Sequence, residues 1–176
     1  VVKVDDYLKT SVEDVYAIGD VTGKFQLAHV ASAQGIKAAE NAMGGSEKMK
    51  YNIVPSCIFT IPEIGCVGLT EEEARRKYGD VLVGKFPMSA SGKALAMGET
   101  EGFVKVIADK KYGEILGVHI IGASATEIIA EAAAVMKLEG TLEELVNTIH
   151  AHPTIAETIM EAAHCALGEP IHLPKR

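Results

Sequence analysis

Two apolar runs on either side of a short charged turn constrain the fold of this chain more than any other feature. The runs are Gly102 to Ala108 and Glu114 to Ile121, and the turn between them, Asp109 to Gly113, contains three charged residues and a glycine. Runs of this length around such a turn predict an antiparallel hairpin. The hairpin in turn predicts an antiparallel sheet at the centre of the fold.

Four predicted helix starts share one pattern, a Ser or Thr followed three residues later by Glu. This spacing predicts a capping box, in which each of the two side chains hydrogen-bonds the backbone amide of the other residue. The clearest helix runs from Ser124 to Glu139, with apolar residues along one face and Gly140 directly after it. The four pairs are Ser124/Glu127, Thr70/Glu73, Thr141/Glu144 and Thr154/Glu157.

Other segments around the hairpin complete the predicted fold. Ile53 to Thr60 and Val81 to Phe86 predict strands, and Glu71 to Lys77 predicts a short helix between them. A final helix follows Pro153 and ends near Gly168. The predicted fold class is α+β, an antiparallel sheet flanked by helices.

The N-terminal part of the chain predicts two strands and a helix. Val1 to Val4 is the first predicted strand, and Val15 to Ile18 is a second, buried one that ends in a loop at Asp20. The Ala-rich segment from Gln26 to Met43 predicts a helix. A carboxylate in a loop after a buried strand is typical of a ligand site.

A polar stretch from Ser46 to Lys50 predicts a boundary between two units, residues 1–46 and 47–176. The first unit is too small to fold alone. The chain also opens with Val1 inside an apolar run, without an initiator Met. We therefore expect it to be a fragment of a longer protein.

Composition narrows the classes of partner. The chain has 176 residues, of which 48% are hydrophobic, so it can build one or two cores. A formal net charge of −7 and the lack of a long Lys/Arg run argue against nucleic acid and anionic membranes as partners. No apolar run approaches the roughly 20 residues of a membrane helix, and no signal-peptide pattern is present. Small molecules and proteins remain as the expected partners.

The three cysteines, Cys57, Cys66 and Cys165, form neither a Cys-x2-Cys pair nor a metal-binding pattern. Their odd number suits no complete disulfide framework, so a reducing compartment is expected. We predict packed thiols without a catalytic role, because free cysteine is usually buried and inert unless a base or a metal lies beside it.

The segment from His150 to Glu157 contains the strongest candidate for acid–base chemistry. Because a proline disfavours helical backbone at the residue before it, His152 should lie just ahead of the helix that follows Pro153. Glu157 would then fall in the first helical turn, where it could hydrogen-bond the imidazole. A histidine held by a carboxylate is a base that works near neutral pH. The same glutamate could instead only cap the helix, and the local pattern leaves both interpretations open.

Two pairs of side chains raise the alternative of a metal site, namely His150 with His152 and Glu161 with His164. The second pair has the spacing found in carboxylate-bridged metal bundles. Such bundles need another matching pair and two further glutamates on facing helices, and the sequence contains one copy only. We predict that the protein holds no metal.

Two segments, in this order, resemble the C-terminal part of the flavin-dependent disulfide oxidoreductases. The first is the YAIGD run that ends at Asp20, together with Gln26 to His29, and the second is HAHPTIAE, from His150 to Glu157. The resemblance extends over essentially the whole chain. HAHPTIAE is most similar to the dihydrolipoamide dehydrogenase branch of the family, since glutathione reductases usually carry a further acidic residue where Thr158 stands here.

For the first segment, the resemblance implies contacts with FAD. Asp20 would accept a hydrogen bond from a ribityl hydroxyl, and Gly19 would let the backbone approach. The helix start at Gln26 to His29 would face the pyrimidine edge of the flavin, where the helix dipole favours negative charge. A simple loop-capping role for Asp20 stays open. The implied cofactor-binding residues are Gly19, Asp20, Gln26, Leu27, Ala28, His29 and Pro153.

For the second segment, the resemblance implies that His152 is the general base and acid for a dihydrolipoamide thiol. Glu157 would orient and polarise its ring. The thiolate is the nucleophile that attacks a redox disulfide, and a free thiol with a pKa near about 8.5 is mostly protonated at neutral pH. The resemblance also implies a cis peptide bond between His152 and Pro153.

The resemblance further implies a homodimer in which the C-terminal unit forms most of the interface and the His/Glu pair of one subunit completes the site of the other. The full-length enzyme would use FAD and NAD and act on the lipoyl domain of a 2-oxoacid dehydrogenase or glycine cleavage complex. Its compartment would be the bacterial cytoplasm or the mitochondrial matrix of a eukaryote.

Two motifs of the full family pattern do not occur in this sequence, a Cys-x4-Cys pair and a Gly-x-Gly-x-x-Gly run after a strand. We therefore expect the chain alone to bind no flavin and to be inactive. One alternative is a homodimerisation module of another flavin disulfide reductase, such as glutathione or mercuric reductase.

Overall fold

The computed structural model describes residues 1–174 and divides into two units, Val1–Asn52 and the residues from Ile53 onward. The second unit is built on an antiparallel sheet, which confirms the predicted fold class. The five strands lie in the order β1-β2-β5-β4-β3, with β1 at Ser56–Ile58, β2 at Glu63–Gly68, β3 at Val81–Pro87, β4 at Phe103–Asp109 and β5 at Ile115–Gly122.

The predicted hairpin is confirmed as β4 and β5. Its turn is closed by one carboxylate, because Asp109 accepts hydrogen bonds from the backbone amides of Lys111, Tyr112 and Glu114 at 2.9, 3.0 and 2.8 Å. An aspartate that satisfies several turn amides in this way fixes both the position of the turn and the strand register.

Strand β2 has no counterpart in the sequence-based prediction, which placed a single strand from Ile53 to Thr60. Glycines at Gly65 and Gly68 weaken the apolar alternation of β2. The first of these has a structural reason, since a Cβ at Gly65 would collide with the backbone carbonyl of Ala125. The glycine that hides the strand in the sequence lets a helix lie directly on it in the structure.

Among the described residues, one α-helix, α1 at Ala28–Ala42, belongs to the first unit, and five belong to the second: α2 at Glu71–Tyr78, α3 at Gly92–Met97, α4 at Ala125–Lys137, α5 at Leu142–Asn147 and α6 at Glu157–Ala166. The two longest of the five, α4 and α6, share a core with the inner face of the sheet, where Ile129 and Ile159 join valines of β4 and β5. On the other face, Ala74 of α2 packs with Ile107 and Leu116.

Two of the predicted capping boxes are confirmed, those at Thr70/Glu73 and Thr141/Glu144. The one at Ser124 is wrong, because Ser124 has a left-handed backbone with φ of 57° and makes no side-chain cap. Glu63 of β2 provides the cap instead. Its Oε2 accepts hydrogen bonds from the backbone amide and the hydroxyl of Thr126 at 3.0 and 2.8 Å. The start of α4 is therefore capped from the sheet.

The first unit departs from its predicted strands. Val1 to Val4 form no strand, and Val15 to Ile18 form only one isolated bridge, between Tyr16 and Lys9. Val15 and Ile18 are exposed rather than buried. A β-prone run becomes a buried strand only where neighbouring strands and a packed face are supplied. The predicted helix is confirmed as α1, which begins at Ala28.

The contact between Gly84 of β3 and helix α6 gives a direct test of this packing. A Cβ at Gly84 would overlap the backbone carbonyl of Ala162 and the backbone amide of Ala166, and would lie 2.9 Å from the Ala166 Cβ. We expect Gly84→Ala to lower the free energy of unfolding by about 1–3 kcal/mol or more, because such overpacking forces the helix away from the sheet. Urea unfolding followed by circular dichroism measures the change.

The matched control is Gly92→Ala, the same substitution at the first residue of α3. A Cβ there has no neighbour within 4 Å. Because alanine is the better helix former, this variant should be neutral or more stable by up to about 1 kcal/mol. Equal stability of the two variants would contradict the proposed packing of α6 on β3.

Candidate acid–base site

A loop between α5 and α6 carries both histidines of the HAHPTIAE segment. The peptide bond between His152 and Pro153 is cis, as the resemblance implies. Helix α6 begins at Glu157, three residues later than the predicted start near Thr154. The loop therefore includes the residues between the histidines and the glutamate, and its shape decides whether the two side chains meet.

His152 and Glu157 do meet. The ring Nδ1 lies 2.9 Å from Glu157 Oε1, the distance of a charge-assisted hydrogen bond. The His152 side chain is 78% exposed, whereas that of Glu157 is 25% exposed. Within residues 1–174, no other hydrogen bond reaches the His152 ring, so Nε2 stays available for proton transfer. The ring is thus held at one nitrogen and open at the other.

The Glu157 carboxylate has a second partner, which keeps it ionised. Its Oε2 accepts a hydrogen bond from the Thr154 backbone amide at 2.8 Å. Burial opposes ionisation, but the Thr154 amide and then the His152 ring outweigh it, and the pKa of Glu157 lies below its ordinary value. An ionised Glu157 fixes the tautomer with the proton on Nδ1 and can stabilise an imidazolium.

The predicted capping box at Thr154/Glu157 forms only in part. The Thr154 hydroxyl donates to the Ala151 carbonyl at 2.7 Å, and the N-cap residue of α6 is Ala156. Only the glutamate half of the box is made, through the Thr154 amide. Glu157 therefore hydrogen-bonds both the Thr154 amide before the helix and the His152 ring, and the acid–base role stays a prediction.

His150 lies two residues before His152 in a different environment. Its Nε2 lies 2.8 Å from Glu131 Oε1 on α4, and its Nδ1 lies 2.9 Å from the Thr148 carbonyl oxygen. The side chain is 5% exposed. From the sequence, His150 is a candidate only as a metal ligand, and Glu131 is not a candidate at all, because nothing local indicates a partner on another helix.

The two side chains of the alternative metal pair Glu161 and His164 have different environments. Glu161 is buried and accepts from the His172 ring at 2.5 Å, whereas Nδ1 of His164 is buried and has no hydrogen-bond partner in the described part of the chain. Among residues 1–174, no group of three or more His, Cys, Asp or Glu side chains could hold a metal ion.

The cysteines are free and half-buried. Burial raises the pKa of the Cys57, Cys66 and Cys165 thiols, which favours the protonated, unreactive form. Cys57 also donates to the Thr126 carbonyl at 3.7 Å.

None of the helices within residues 1–174 has both the length and the apolar character that a membrane span requires.

In the first unit, the segment implied to contact FAD begins with a short 3-10 turn, Gly19–Thr22. Gly19 has φ of 71°, and its amide donates to Gln34 Oε1 on α1 at 2.6 Å. The Thr22 hydroxyl donates to the Gly19 carbonyl at 2.8 Å. The turn is thereby fixed against α1, and the adjacent Asp20 is exposed.

The start of α1 has no side-chain cap. Its N-cap residue, Leu27, provides no side-chain hydrogen bond to the helix. Gln26 and Ala28 are exposed, and so is His29. Gln34, which the sequence analysis missed, is a polar residue on the buried side of an Ala-rich helix. That position is the signal that could have identified it, since a buried amide needs a specific partner.

Family comparisons agree with the resemblance. Residues 54–163 match the model described as pyridine nucleotide-disulphide oxidoreductase, dimerisation domain. Residues 1–35 match the model described as pyridine nucleotide-disulphide oxidoreductase.

Curated relatives with full-length sequences include several dihydrolipoyl dehydrogenases. The enzyme of Corynebacterium glutamicum is 45% identical over 175 residues, which cover 97% of this chain and 37% of that protein. Those of Mycobacterium leprae and Chlamydia muridarum are 47% identical over 174 residues, which cover 97% and 99% of this chain. The chain spans 37% of the length of each of these relatives.

Solved structures show the same fold. LpdA from Mycobacterium tuberculosis superposes with a TM-score of 0.86 at 29% identity, covering 93% of this chain and 36% of that one. The HOCl-induced flavoprotein disulfide reductase RclA from Escherichia coli gives 0.84 at 29% identity, covering 92% and 38%. With the family model matching more than half of its residues, the chain belongs to the pyridine nucleotide-disulphide oxidoreductases and contains their dimerisation domain.

Proposed function

We propose that this chain supplies the acid–base pair and the dimer interface of a dihydrolipoyl dehydrogenase. The enzyme would oxidise dihydrolipoamide and pass the electrons through a redox disulfide and FAD to NAD. The observation that carries the proposal is the hydrogen bond between His152 Nδ1 and Glu157 Oε1, which leaves the exposed edge of the ring open to a substrate.

The proposed chemistry follows from the different surroundings of the two ring nitrogens of His152. With its proton on Nδ1 and Glu157 beside it, His152 can take a proton from a dihydrolipoamide thiol at Nε2. The thiolate then bonds to one sulfur of the redox disulfide, and the other sulfur leaves as a thiolate. The ionised Glu157 stabilises the imidazolium that forms. In the reverse direction the same ring returns the proton.

FAD would be held in part by the first unit, and we assign residues 1–46 to the end of an FAD-binding domain and 47–176 to the interface domain. The exposed Asp20 carboxylate is an acceptor for a flavin-chain hydroxyl, Gly19 has no side chain to obstruct it, and the α1 start from Gln26 to His29 offers backbone donors. Pro153 would contact the cofactor from the interface domain. Held by these residues, FAD would supply a two-electron acceptor for the dithiol and a donor to NAD.

The partners follow from the same proposal. Two copies of the chain would form a homodimer through the dimerisation domain. The pair of His152 and Glu157 in each subunit would complete the active site of the other. The substrate arm would come from a lipoyl domain of a 2-oxoacid dehydrogenase or glycine cleavage complex. The enzyme would then work where those complexes work, in the bacterial cytoplasm or the mitochondrial matrix.

Replacing the proposed base tests the mechanism. In the full-length enzyme, His152→Gln should lower turnover with dihydrolipoamide by about 100-fold to 10,000-fold, because the thiol loses its general base. Flavin content, and the rate at which NADH reduces the flavin, should stay at the wild-type level. Stopped-flow absorbance of the flavin separates the two half-reactions.

The matched control for this variant is His119→Gln on β5. His119 Nε2 lies 2.9 Å from the Leu69 carbonyl oxygen, a bond that glutamine can also donate. The His119→Gln enzyme should turn over dihydrolipoamide at the wild-type rate. Wild-type turnover by His152→Gln would refute the base role, and faster turnover of glutathione disulfide than of lipoamide by the unmodified enzyme would refute the substrate class.

Mixing two inactive variants tests the shared active site. One subunit carries His152→Gln, and the other carries serines in place of its redox cysteines. If each site combines the disulfide of one subunit with the histidine of its partner, a mixed dimer has one intact site. Random re-association should then restore about a quarter of wild-type activity, because about half of the dimers are mixed. A site built within one subunit predicts no recovery.

Removing the Asp20 carboxylate tests the flavin contact. In the full-length enzyme, Asp20→Ala should release FAD more readily on dilution, because one charge-assisted hydrogen bond worth roughly 1.5–3 kcal/mol is lost. Flavin fluorescence in the filtrate after ultrafiltration reports the loss. Glu13→Ala, which removes another exposed carboxylate of the same unit, should retain the cofactor. Equal retention by both variants would argue for a loop-capping role of Asp20.

A further inference from the structure

We propose that His150 is a positioning residue, which fixes the loop that presents His152 to the thiol substrate through its contact with Glu131. The inference rests on the proposed function, because it assigns a role within the same site. It differs from that function in naming two side chains, His150 and Glu131, that never touch the substrate.

The hydrogen bonds of His150 are unusually restrictive. Its Nδ1 faces the Thr148 carbonyl oxygen at 2.9 Å, and its Nε2 faces the Glu131 carboxylate at 2.8 Å. A carbonyl and an ionised carboxylate can only accept, so both bonds are made together only when each ring nitrogen carries a proton. The resulting positive charge is balanced by Glu131, whose side chain is 28% exposed, against 5% for His150. An ion pair shielded in this way is directional and strong.

The position of this contact in the loop explains its effect. The N-terminal half of the loop is tied to α4 by His150, while the C-terminal half is tied to α6 by the Thr154 amide bonded to Glu157. His152 lies between the two attachments. Neighbouring Ile149 is 97% exposed and contributes little packing. Without the His150 contact, the first half of the loop would keep only local hydrogen bonds.

The charges around His150 also connect it to the acid–base pair. The ionisable groups that interact with His150 are Glu131 from α4, through a hydrogen bond, and Glu157 from α6, through its charge, while His152 follows two residues later on the same loop. Burial is the largest influence on the pKa of Glu157 and raises it, and the lowering that prevails comes from the Thr154 amide, the His152 ring and the charge of His150. Loss of that charge should raise the pKa of Glu157, so that its ionised carboxylate holds His152 only from a higher pH.

The test uses three variants of the full-length enzyme. His150→Phe keeps a ring but removes both hydrogen bonds, and Glu131→Ala removes the partner. Glu131→Gln is the conservative change, because its amide oxygen still accepts from Nε2. Glu127→Ala, on the exposed side of α4 one turn earlier, is the control.

We expect kcat/KM for dihydrolipoamide to fall about 10-fold to 100-fold in His150→Phe and Glu131→Ala, since small displacements of a catalytic group cost this much. Glu131→Gln should retain most of the wild-type value, and Glu127→Ala all of it. In His150→Phe the ascending limb of the pH profile should move to higher pH. Flavin content and flavin reduction by NADH should not change in any variant.

Two results would overturn the proposal. One is a wild-type kcat/KM and pH profile in both His150→Phe and Glu131→Ala. The other is a parallel loss of flavin content and of NADH-driven flavin reduction, which would mean that His150 only supports folding. His152→Gln, measured alongside, separates this proposal from the proposed function: normal turnover there would refute the base itself, whatever His150 does.

Discussion

The close approach of helix α6 to strand β3 is the constraint on which the acid–base site depends. The two backbones come so near at Gly84 that a single added carbon would overlap Ala162 and Ala166. Glu157 is the first residue of that helix, so its carboxylate is carried by a rigid element packed on the sheet. A site on such an element is held more accurately than one on a loop. The sheet therefore fixes the carboxylate, and the carboxylate fixes the loop and His152.

How much of the fold was predictable depended on whether its determinants are local. The hairpin turn is made by Asp109 and its immediate neighbours, and the caps at Thr70 and Thr141 span three residues. These were predicted correctly. The prediction of the α4 cap was wrong because the capping carboxylate, Glu63, lies on a strand and is 63 residues away from Thr126 in the sequence. Strand β2 was missed for a related reason, since its glycine is explained only by the helix above it.

The contacts of the candidate site were likewise predictable only where they are local in the sequence. His152 and Glu157 are five residues apart, so the sequence alone could suggest their contact, and the structure brings their atoms within 2.9 Å. Glu131 lies 19 residues from His150 on a separate helix, and no local pattern links them. Gln34 lies 15 residues from Gly19. The groups that would perform chemistry were thus identified from the sequence, whereas the groups that hold them in place required the fold.

The two histidines of the motif show why a loop, and not a strand, carries this site. In an extended strand, residues two positions apart point to the same side and would share one environment. Here His150 is shielded and His152 is exposed, and the chain turns from Ala151 to Thr154, where the Thr154 hydroxyl donates to the Ala151 carbonyl. A shielded ring with both nitrogens engaged cannot exchange a proton with a substrate. An exposed ring engaged at one nitrogen can, so the loop separates the histidine that we propose as an anchor from the one that we propose as the base.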